Sequence, residues 1–336
     1  MTLDHAELRA SVRSALNRAE GPAILAGQLG AYGLAVPEEH GGLGCTLAET
    51  QVVCEEVGRV LAPVPFLSSA VLAAQALLLA GAHEHLPALA EGTLTGTVAW
   101  AEDGSWDAAA IRAEARDGRL YGVKDHVLDA PGAGLVVVPA RFGGDLALFA
   151  VTDAAVEALP VMDQTRPQSR IVFDGTPATL LAADAAPLLD RLLAVAATAL
   201  AGEQLGGAQY CLDMTVEYVR TRKQFGRPIG SFQAVKHRLA DVYVLVESAR
   251  SLGRDAARAL AADAPDAERR AATAQAYCAE AFQTAAAETI QLHGGIGFTW
   301  EHPAHRYFKR AHGSAQLFGT PAWHRQRIAE TVLPGC

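Results

Sequence analysis

Two segments in the last third of the chain combine residue types that could bind an anion. In "YVRTRKQFGRPIG", Arg222 and Gln224 follow a long helical pattern, and Phe225 stands directly before a glycine. The planar guanidinium group of an arginine matches phosphate oxygens through parallel hydrogen bonds. Cations at the end of a helix also complement its dipole, so a helix cap is the simpler alternative.

The second segment, "QLHGGIGF", follows another long helical pattern. Its glycines, Gly294, Gly295 and Gly297, are more typical of a helix end and a turn than of a ligand-binding loop. No Gly-x-Gly-x-x-Gly follows a predicted strand and no P-loop is present, which argues against Rossmann and phosphoryl-transfer sites.

Three histidines near these segments raise the alternative of a metal site. They are His302, His305 and His312, and no Cys or carboxylate at ligand spacing completes a set. We therefore expect no metal.

A third segment, "HGSAQLFGT", contains a bulky apolar side chain directly before a Gly-Thr pair. Phe318 stands directly before Gly319 and Thr320, in what is predicted to be a loop before a last helix that begins near Pro321. Phenylalanine carries no group that can donate or accept a proton, so the segment by itself indicates no chemistry.

Composition excludes several functional classes. The 336 residues are 50% hydrophobic and 19% charged, with a formal net charge of −9 and no Lys/Arg block, which argues against nucleic acid as a partner. The N-terminus lacks a secretory h-region, and the apolar stretch from Ser68 to Ala82 is too short to span a bilayer. Five scattered cysteines indicate reduced thiols. We expect a cytoplasmic protein with no membrane partner.

Hydrophobic periodicity divides the chain into three zones that must position these segments. Residues 1–95 are helical, and Thr46 with Glu49 forms a capping box. Residues 96–185 contain short β-type runs typical of a small antiparallel barrel or sandwich. Residues 186–336 contain three long amphipathic helices in succession. The predicted fold is α+β, mostly α: an N-terminal helical domain, a small middle β-barrel and a C-terminal four-helix-type bundle.

Three motifs in the right order carry a resemblance to a known family. "YGLAVPEEHGGLGCTLAE", "RTRKQFGRPIGSFQAVKHRLAD" and "QLHGGIGFTWEHPAHRYFKRA" resemble the acyl-CoA dehydrogenase family, and the helix–β–helix order matches too. The resemblance covers essentially the whole chain. It implies a flavoprotein chemistry in which a Glu takes the α proton of an acyl-CoA thioester while FAD accepts the β hydride.

The resemblance assigns cofactor-binding roles to particular residues. In the family, an Arg-x-x-Phe-Gly segment and a Gln-x-x-Gly-Gly segment reach across a subunit interface to the ADP part of a FAD that the neighbouring subunit mainly binds. The matching residues, which we call the clamp, are Arg222, Gln224, Phe225, Gln291, Gly294 and Gly295, with Gln233 nearby.

Other family positions are not retained. The catalytic Glu normally precedes a Gly-Thr pair, and that position is Phe318 here; an alternative base position on the first long helix of the bundle is Ala196. The family's Trp-Ile-Thr segment, whose Thr touches the flavin, reads His126-Val127-Leu128. Its Thr-Glu-Pro-x-x-Gly-Ser-Asp loop is reduced to "AEDGSWD", Ala101 to Asp107.

Three hypotheses follow from this mixture. The first is a catalytically silent subunit that shares FAD across an interface with a homologous Glu-bearing subunit, in a heterodimer or heterotetramer resembling the actinobacterial enzymes that act on steroid side-chain CoA thioesters. The second is a self-sufficient enzyme with a displaced base, for which Glu203 is a weak candidate and Asp213 and Glu217 are weaker; a buried structural role is the simpler alternative for Glu203. The third is a flavin-free scaffold on the same fold.

Overall fold

The structure, a computed structural model, describes residues 4–18 and 20–333. Its first part is helical, as predicted. The capping box is confirmed: the Thr46 side chain accepts a hydrogen bond from the first turn of α3, and Glu49 accepts from the Thr46 backbone N–H. The helices of this part are α1 (His5–Leu16), α2 (Gly21–Ala23), α3 (Leu47–Val60), α4 (Ala74–Leu79) and α5 (Leu86–Glu91).

The apolar stretch from Ser68 to Ala82 is buried in the core, as predicted, but it is not a uniform α-helix. It begins within a π-helix, Phe66–Ala73, that continues directly into α4. Side chains of the π-helix are fully or almost fully buried because helix α6 (Ala186–Thr221) and strand β1 (Gly96–Val98) cover them. Within the described residues, no helix has both the length and the apolar composition that crossing a membrane requires.

The middle part of the chain forms an eight-stranded sheet in the order β6-β7-β3-β2-β4-β5-β8, with β1 beside β4. Most pairs are antiparallel, as expected, but β1 and β2 both run parallel to β4. Parallel pairing is possible because long connections, not tight hairpins, separate these strands in sequence. After β1 the strands are β2 (Glu114–Arg116), β3 (Arg119–Leu128), β4 (Leu135–Phe142), β5 (Asp145–Val151), β6 (Ala155–Ala158), β7 (Gln168–Pro177) and β8 (Thr179–Ala182).

The last part is the predicted helical bundle, and the α+β fold class is confirmed. The helix α6 packs on α8, on α7 and on α3, and α10 packs on α8. One local prediction is wrong: His312 to Ser314 complete a helix, so the loop before the last helix is shorter than expected. The bundle helices are α6 (Ala186–Thr221), α7 (Gln233–Ala261), α8 (Ala267–His293), α9 (Ala304–Ser314) and α10 (Pro321–Val332).

The structure shows the state of four cysteines but does not test the predicted domain boundaries. Cys45, Cys54, Cys211 and Cys278 are free thiols, and Cys336 lies outside the described residues. The domain division at residues 1–95, 96–185 and 186–336 stays a prediction.

Glycines allow α3 and α6 to cross at backbone contact. A Cβ added to Gly206 of α6 would lie 1.8 Å from the carbonyl oxygen of Glu55, and one added to Gly58 would lie 2.1 Å from that of Glu203. We expect Gly206→Ala to destabilise the protein by about 1–3 kcal/mol, because the two helices must separate. Thermal unfolding measures this effect. Gly27→Ala is the matched control, since a Cβ there meets nothing within 4 Å; equal melting temperatures for the two variants would contradict the close crossing.

Candidate functional site

The first clamp segment forms a tight hairpin at the end of α6. Arg222 caps the helix in an extended conformation, and two short strands, β9 (Lys223–Gln224) and β10 (Arg227–Pro228), pair around a two-residue turn. Phe225 and Gly226 occupy that turn with φ angles of +53° and +76°, which two-residue hairpins require. The turn holds the Phe225 ring away from the protein, so that it is 90% exposed.

The second clamp segment lies at the same end of the bundle. His293, the last residue of α8, stacks on Tyr218 with ring centroids 4.3 Å apart, and the Tyr218 hydroxyl donates to its carbonyl at 3.3 Å. Gly294 then turns the chain with φ +64°, and a Cβ on it or on Gly295 would meet nothing within 4 Å. The structure therefore brings the Arg222 hairpin and the Gly294 turn to one end of the bundle.

The clamp side chains are available for a ligand. Arg222, Gln224, Gln233 and Gln291 are exposed, and none of their side chains has a hydrogen-bond partner among the described residues. Gln233 begins α7, shortly after the hairpin. Exposed amide and guanidinium donors beside an open glycine turn have the chemistry that binds a pyrophosphate.

A separate cleft of about 590 Å³ opens between the middle sheet and the bundle. One wall comes from loops of the sheet and the other from the segment between α9 and α10. The lining residues are Gly104, Ser105, Trp106, His126, Val161, Met162, Asp163, Gln168, Gly313, Gln316, Leu317, Gly319, Thr320 and Trp323.

The Phe318 side chain is buried and does not line this cleft. It is 3% exposed, and its ring meets Trp106 edge to face with centroids 4.7 Å apart. Trp106 donates from its Nε1 to the carbonyl oxygen of Gln316 at 3.0 Å, which ties the sheet loop to the bundle. Two aromatic rings therefore occupy the position to which the family resemblance assigns the catalytic carboxylate.

Buried ionic contacts hold the short loop that carries Trp106. Glu102 accepts hydrogen bonds from the backbone N–H groups of Arg112 and Ala113 at 2.8 and 3.0 Å, and it pairs with the Nζ of Lys124 at 2.7 Å. Burial lowers the pKa of Lys124 to about 8, although the Glu102 carboxylate opposes the shift. This network fixes the loop from Ala101 to Asp107 against the sheet.

His126 lies at the surface of the cleft, whereas Leu128 and Ala196 are buried. His126 lines the cleft with a φ angle of +55°, and its Nδ1 lies 2.7 Å from the Oε1 of Gln168. Leu128 is buried in the hydrophobic core, and Ala196 is fully buried in α6. Neither of the last two can exchange a proton with a ligand.

Glu203 lies in a buried charge network rather than in the cleft. It is 4% exposed, pairs with Arg166, and accepts from the Nη1 of Arg310 at 3.5 Å. Arg310 also donates from its Nε to Asp163 at 2.5 Å and from its Nη2 to the Thr165 hydroxyl at 2.8 Å. Because two guanidinium groups surround it, this arrangement supports the structural alternative for Glu203.

The weaker candidates and the histidines lie elsewhere. Asp213 and Glu217 line an open groove between α6 and α7, and Asp213 pairs with Arg59 at 3.5 Å. His302 packs against His293, and His312 against Phe308. In the part of the chain that the structure describes, no group of three His, Cys, Asp or Glu residues could hold a metal ion.

Known family models match both helical parts of the chain. Residues 4–95 match the acyl-CoA dehydrogenase N-terminal domain, and residues 187–333 match the acyl-CoA dehydrogenase C-terminal domain. The chain belongs to the acyl-CoA dehydrogenase family.

Individual relatives indicate which members of the family this chain resembles. The acyl-CoA dehydrogenase IpdE2 of Mycobacterium tuberculosis is 40% identical over 314 residues, covering 92% of this chain and 85% of the relative. A Tcur3481–Tcur3483 steroid ACAD G363A variant has a TM-score of 0.89 at 31% identity, with 98% of each chain covered. The ChsE4–ChsE5 complex from Mycobacterium tuberculosis gives 0.88 at 30% identity, covering 100% of this chain and 99% of that one. These relatives confirm the resemblance to actinobacterial, steroid-type members.

Local sequence did not identify two sets of residues around the cleft and the Glu203 network. Trp106 lies in a segment that the sequence identified only as a shortened loop. The presence of an aromatic residue in that loop was the one sequence feature that could have pointed to its contact with Phe318. Asp163, Arg166 and Arg310 carried no signal, because Arg310 lies 147 residues from Asp163 and 107 from Glu203. Only the fold brings these charges together.

His324 of α10 makes the stability of the segment around Phe318 sensitive to pH. Its Nε2 donates to the carbonyl oxygen of Phe318 at 3.0 Å, while its buried Nδ1 has no partner. Burial lowers the pKa of His324 from 6.5 to about 4. The unfolded chain binds this proton more readily, so the stabilisation is complete above pH 6.5 and is lost as the pH falls toward 4.

We expect this group to remove about 3 kcal/mol of stability between pH 6.5 and pH 4. Urea unfolding at several pH values measures the loss. His324→Gln retains an amide donor for Phe318 and cannot titrate, so its stability should depend less steeply on pH over this range. Identical slopes for the two proteins would contradict the assignment.

Proposed function

We propose that this chain is a non-catalytic subunit of a heteromeric acyl-CoA dehydrogenase, which helps to bind FAD for a homologous Glu-bearing partner subunit. One observation carries the proposal: the position expected for the base is filled by Phe318 packed on Trp106. The clamp side chains, by contrast, remain exposed and unpaired among the described residues.

The residues present fit the ADP part of FAD better than a flavin ring. At the clamp, Arg222 supplies a guanidinium fork for a pyrophosphate, and Gly294 leaves room for close backbone approach. Near the cleft, the segment expected to touch the ring carries the buried Leu128, which has no donor. The chain therefore offers phosphate-binding groups for a cofactor held mainly by its partner.

In this assembly the chemistry is divided between subunits. Bound FAD supplies hydride acceptance in the α,β-dehydrogenation of an acyl-CoA thioester, and the partner's Glu removes the α proton. A general base contributes on the order of 10²–10⁴-fold in rate, and neither Phe318 nor Ala196 can act as one. This chain orients the cofactor with Arg222, Gln224 and Gln291, and Phe225 provides an apolar surface beside it.

The relatives suggest the class of substrate and the form of the assembly. Because solved neighbours are a steroid ACAD and the two-protein ChsE4–ChsE5 complex, we propose a steroid side-chain CoA thioester and a heterodimer or heterotetramer. We also propose a cytoplasmic location.

The test is to express the chain alone and together with a homologous acyl-CoA dehydrogenase subunit that carries the catalytic Glu. We expect flavin absorbance and acyl-CoA oxidation only from the co-expressed pair. If the chain alone carries stoichiometric FAD and oxidises an acyl-CoA, the silent-subunit proposal is wrong. If neither preparation binds flavin, the scaffold hypothesis replaces it.

A further inference from the structure

A second cationic site lies far from the clamp, in a cleft between α1, α3 and α7. The cleft has a volume of about 360 Å³. Arg254 of α7 is 21 residues beyond Gln233, which corresponds to about 30 Å along the helix. The cleft is lined by His5, Ala6, Arg9, Ala48, Gln51, Val52, Glu55, Arg254 and Arg258.

The acidic charge in this cleft is already neutralised. Glu55 pairs with Arg9 at 2.6 Å and lies 3.9 Å from Arg250. Arg9 also pairs with Glu56, which Arg13 binds at 2.8 Å. Glu55 and Glu56 therefore have guanidinium partners of their own, and Glu49, the third carboxylate of α3, is bonded to His5 and Thr46.

Arg254 and Arg258 are the cations that remain uncompensated. Both are exposed, and neither side chain has a hydrogen bond or an ion pair with any residue that the structure describes. They stand four residues apart on one face of α7, where like charges repel each other. An anion between them would remove that repulsion.

A buried donor lies beside the two arginines. Gln51 is 3% exposed and lines the cleft, and its Nε2 has no acceptor among the described groups. A Cβ on Gly253, the neighbour of Arg254, would lie 2.9 Å from this nitrogen, which places the amide against α7. Because this nitrogen is buried against Gly253, Gln51 forms part of the wall of the cleft and does not contact a ligand directly.

We propose that this cleft binds a phosphate group, held by Arg254 and Arg258, with Arg9 completing the site. Two guanidinium forks match the three oxygens of a phosphate. The volume of the cleft exceeds that of a single phosphate, so the group is either free orthophosphate or part of a phosphate ester. This site is independent of the proposed function.

The proposal is tested by titrating the full-length chain with inorganic phosphate in a calorimeter. A titration with chloride at the same ionic strength is the reference. We expect saturable binding that Arg254→Gln or Arg258→Gln weakens by about tenfold or more each. Arg258→Lys should bind with intermediate affinity, since it keeps the charge but loses the fork. Arg325→Gln, an exposed arginine of α10, is the matched control and should bind as the unmodified chain does.

A parallel titration with adenosine 3′,5′-bisphosphate distinguishes the two sources. Tighter, Arg258-dependent binding of the ester indicates a nucleotide ligand, and equal binding indicates free phosphate. The proposal is overturned if phosphate gives no saturation beyond chloride, or if both glutamine variants bind it as tightly as the control. Arg258 also lies in the last turn of α7. A purely structural role there would lower the melting temperature without changing phosphate binding.

Discussion

An assembly that carries Arg222→Ala in this chain is expected to hold FAD about 10- to 100-fold more weakly than the unmodified assembly. Hydrogen bonds to charged groups contribute about 1.5–3 kcal/mol each, and every 1.4 kcal/mol is a tenfold change in affinity. Arg222 is exposed beside a turn that leaves room for a ligand, so its removal should not disturb the packing of the bundle. Flavin fluorescence during titration of the apo-assembly measures the dissociation constant.

Two variants make this experiment specific. Arg220→Ala removes a neighbouring cation of the same helix that lines the groove between α6 and α7 instead, and it should bind FAD normally. Arg222→Lys should recover part of the affinity, because an ammonium group retains the charge without the planar fork. At saturating FAD, the KM for the acyl-CoA should be unchanged. Normal FAD affinity in Arg222→Ala would remove the clamp from the proposal.

The second large effect is expected for Glu203→Gln, and it concerns stability rather than catalysis. Glu203 compensates Arg166 and Arg310, and burial together with the Arg310 charge lowers the pKa of Arg166. Removing one charge of a buried network leaves its partners uncompensated, which costs about 3–5 kcal/mol. Chemical denaturation measures this loss. The activity per bound flavin should change by less than about twofold.

The same variant separates the silent subunit from the displaced-base hypothesis. If Glu203 were the base, its replacement would lower the rate by about 10²–10⁴-fold. Glu217→Gln is the matched control: this exposed residue of the same helix lies outside the network and should alter stability by no more than about 0.5 kcal/mol. A large rate loss with unchanged stability in Glu203→Gln would favour the self-sufficient enzyme.

Local sequence predicted much of the fold because its signals act over short distances. The capping box at Thr46 and Glu49 predicted the start of α3, and the proline-free pattern after Pro187 predicted a helix of ten turns, as α6 is. The parallel pairing of β1 and β2 with β4 was not predicted. Strand runs specify which segments are extended, whereas pairing depends on contacts between distant segments.

That the two clamp segments follow long helices was also predicted from sequence, because each segment is contiguous; their role in binding FAD stays a proposal. The role of Glu203 could not be predicted from local sequence. Its position in a buried Ala/Gly-rich stretch suited either a displaced base or a structural carboxylate. Arg166, on a loop of the middle sheet, and Arg310, on α9, distinguish these roles.

By itself the sequence determined the family, the helix–β–helix order and the presence of Phe318 where a carboxylate would be expected. Only the tertiary structure decided what surrounds that residue: Trp106, from a loop of the sheet, packs on its ring. The physical reason is that a residue's type limits its chemistry, while its environment depends on burial and on partners far away in the chain. Trp106 and Gln316 share a hydrogen bond although they are 210 residues apart in the chain, so only folding brings them together.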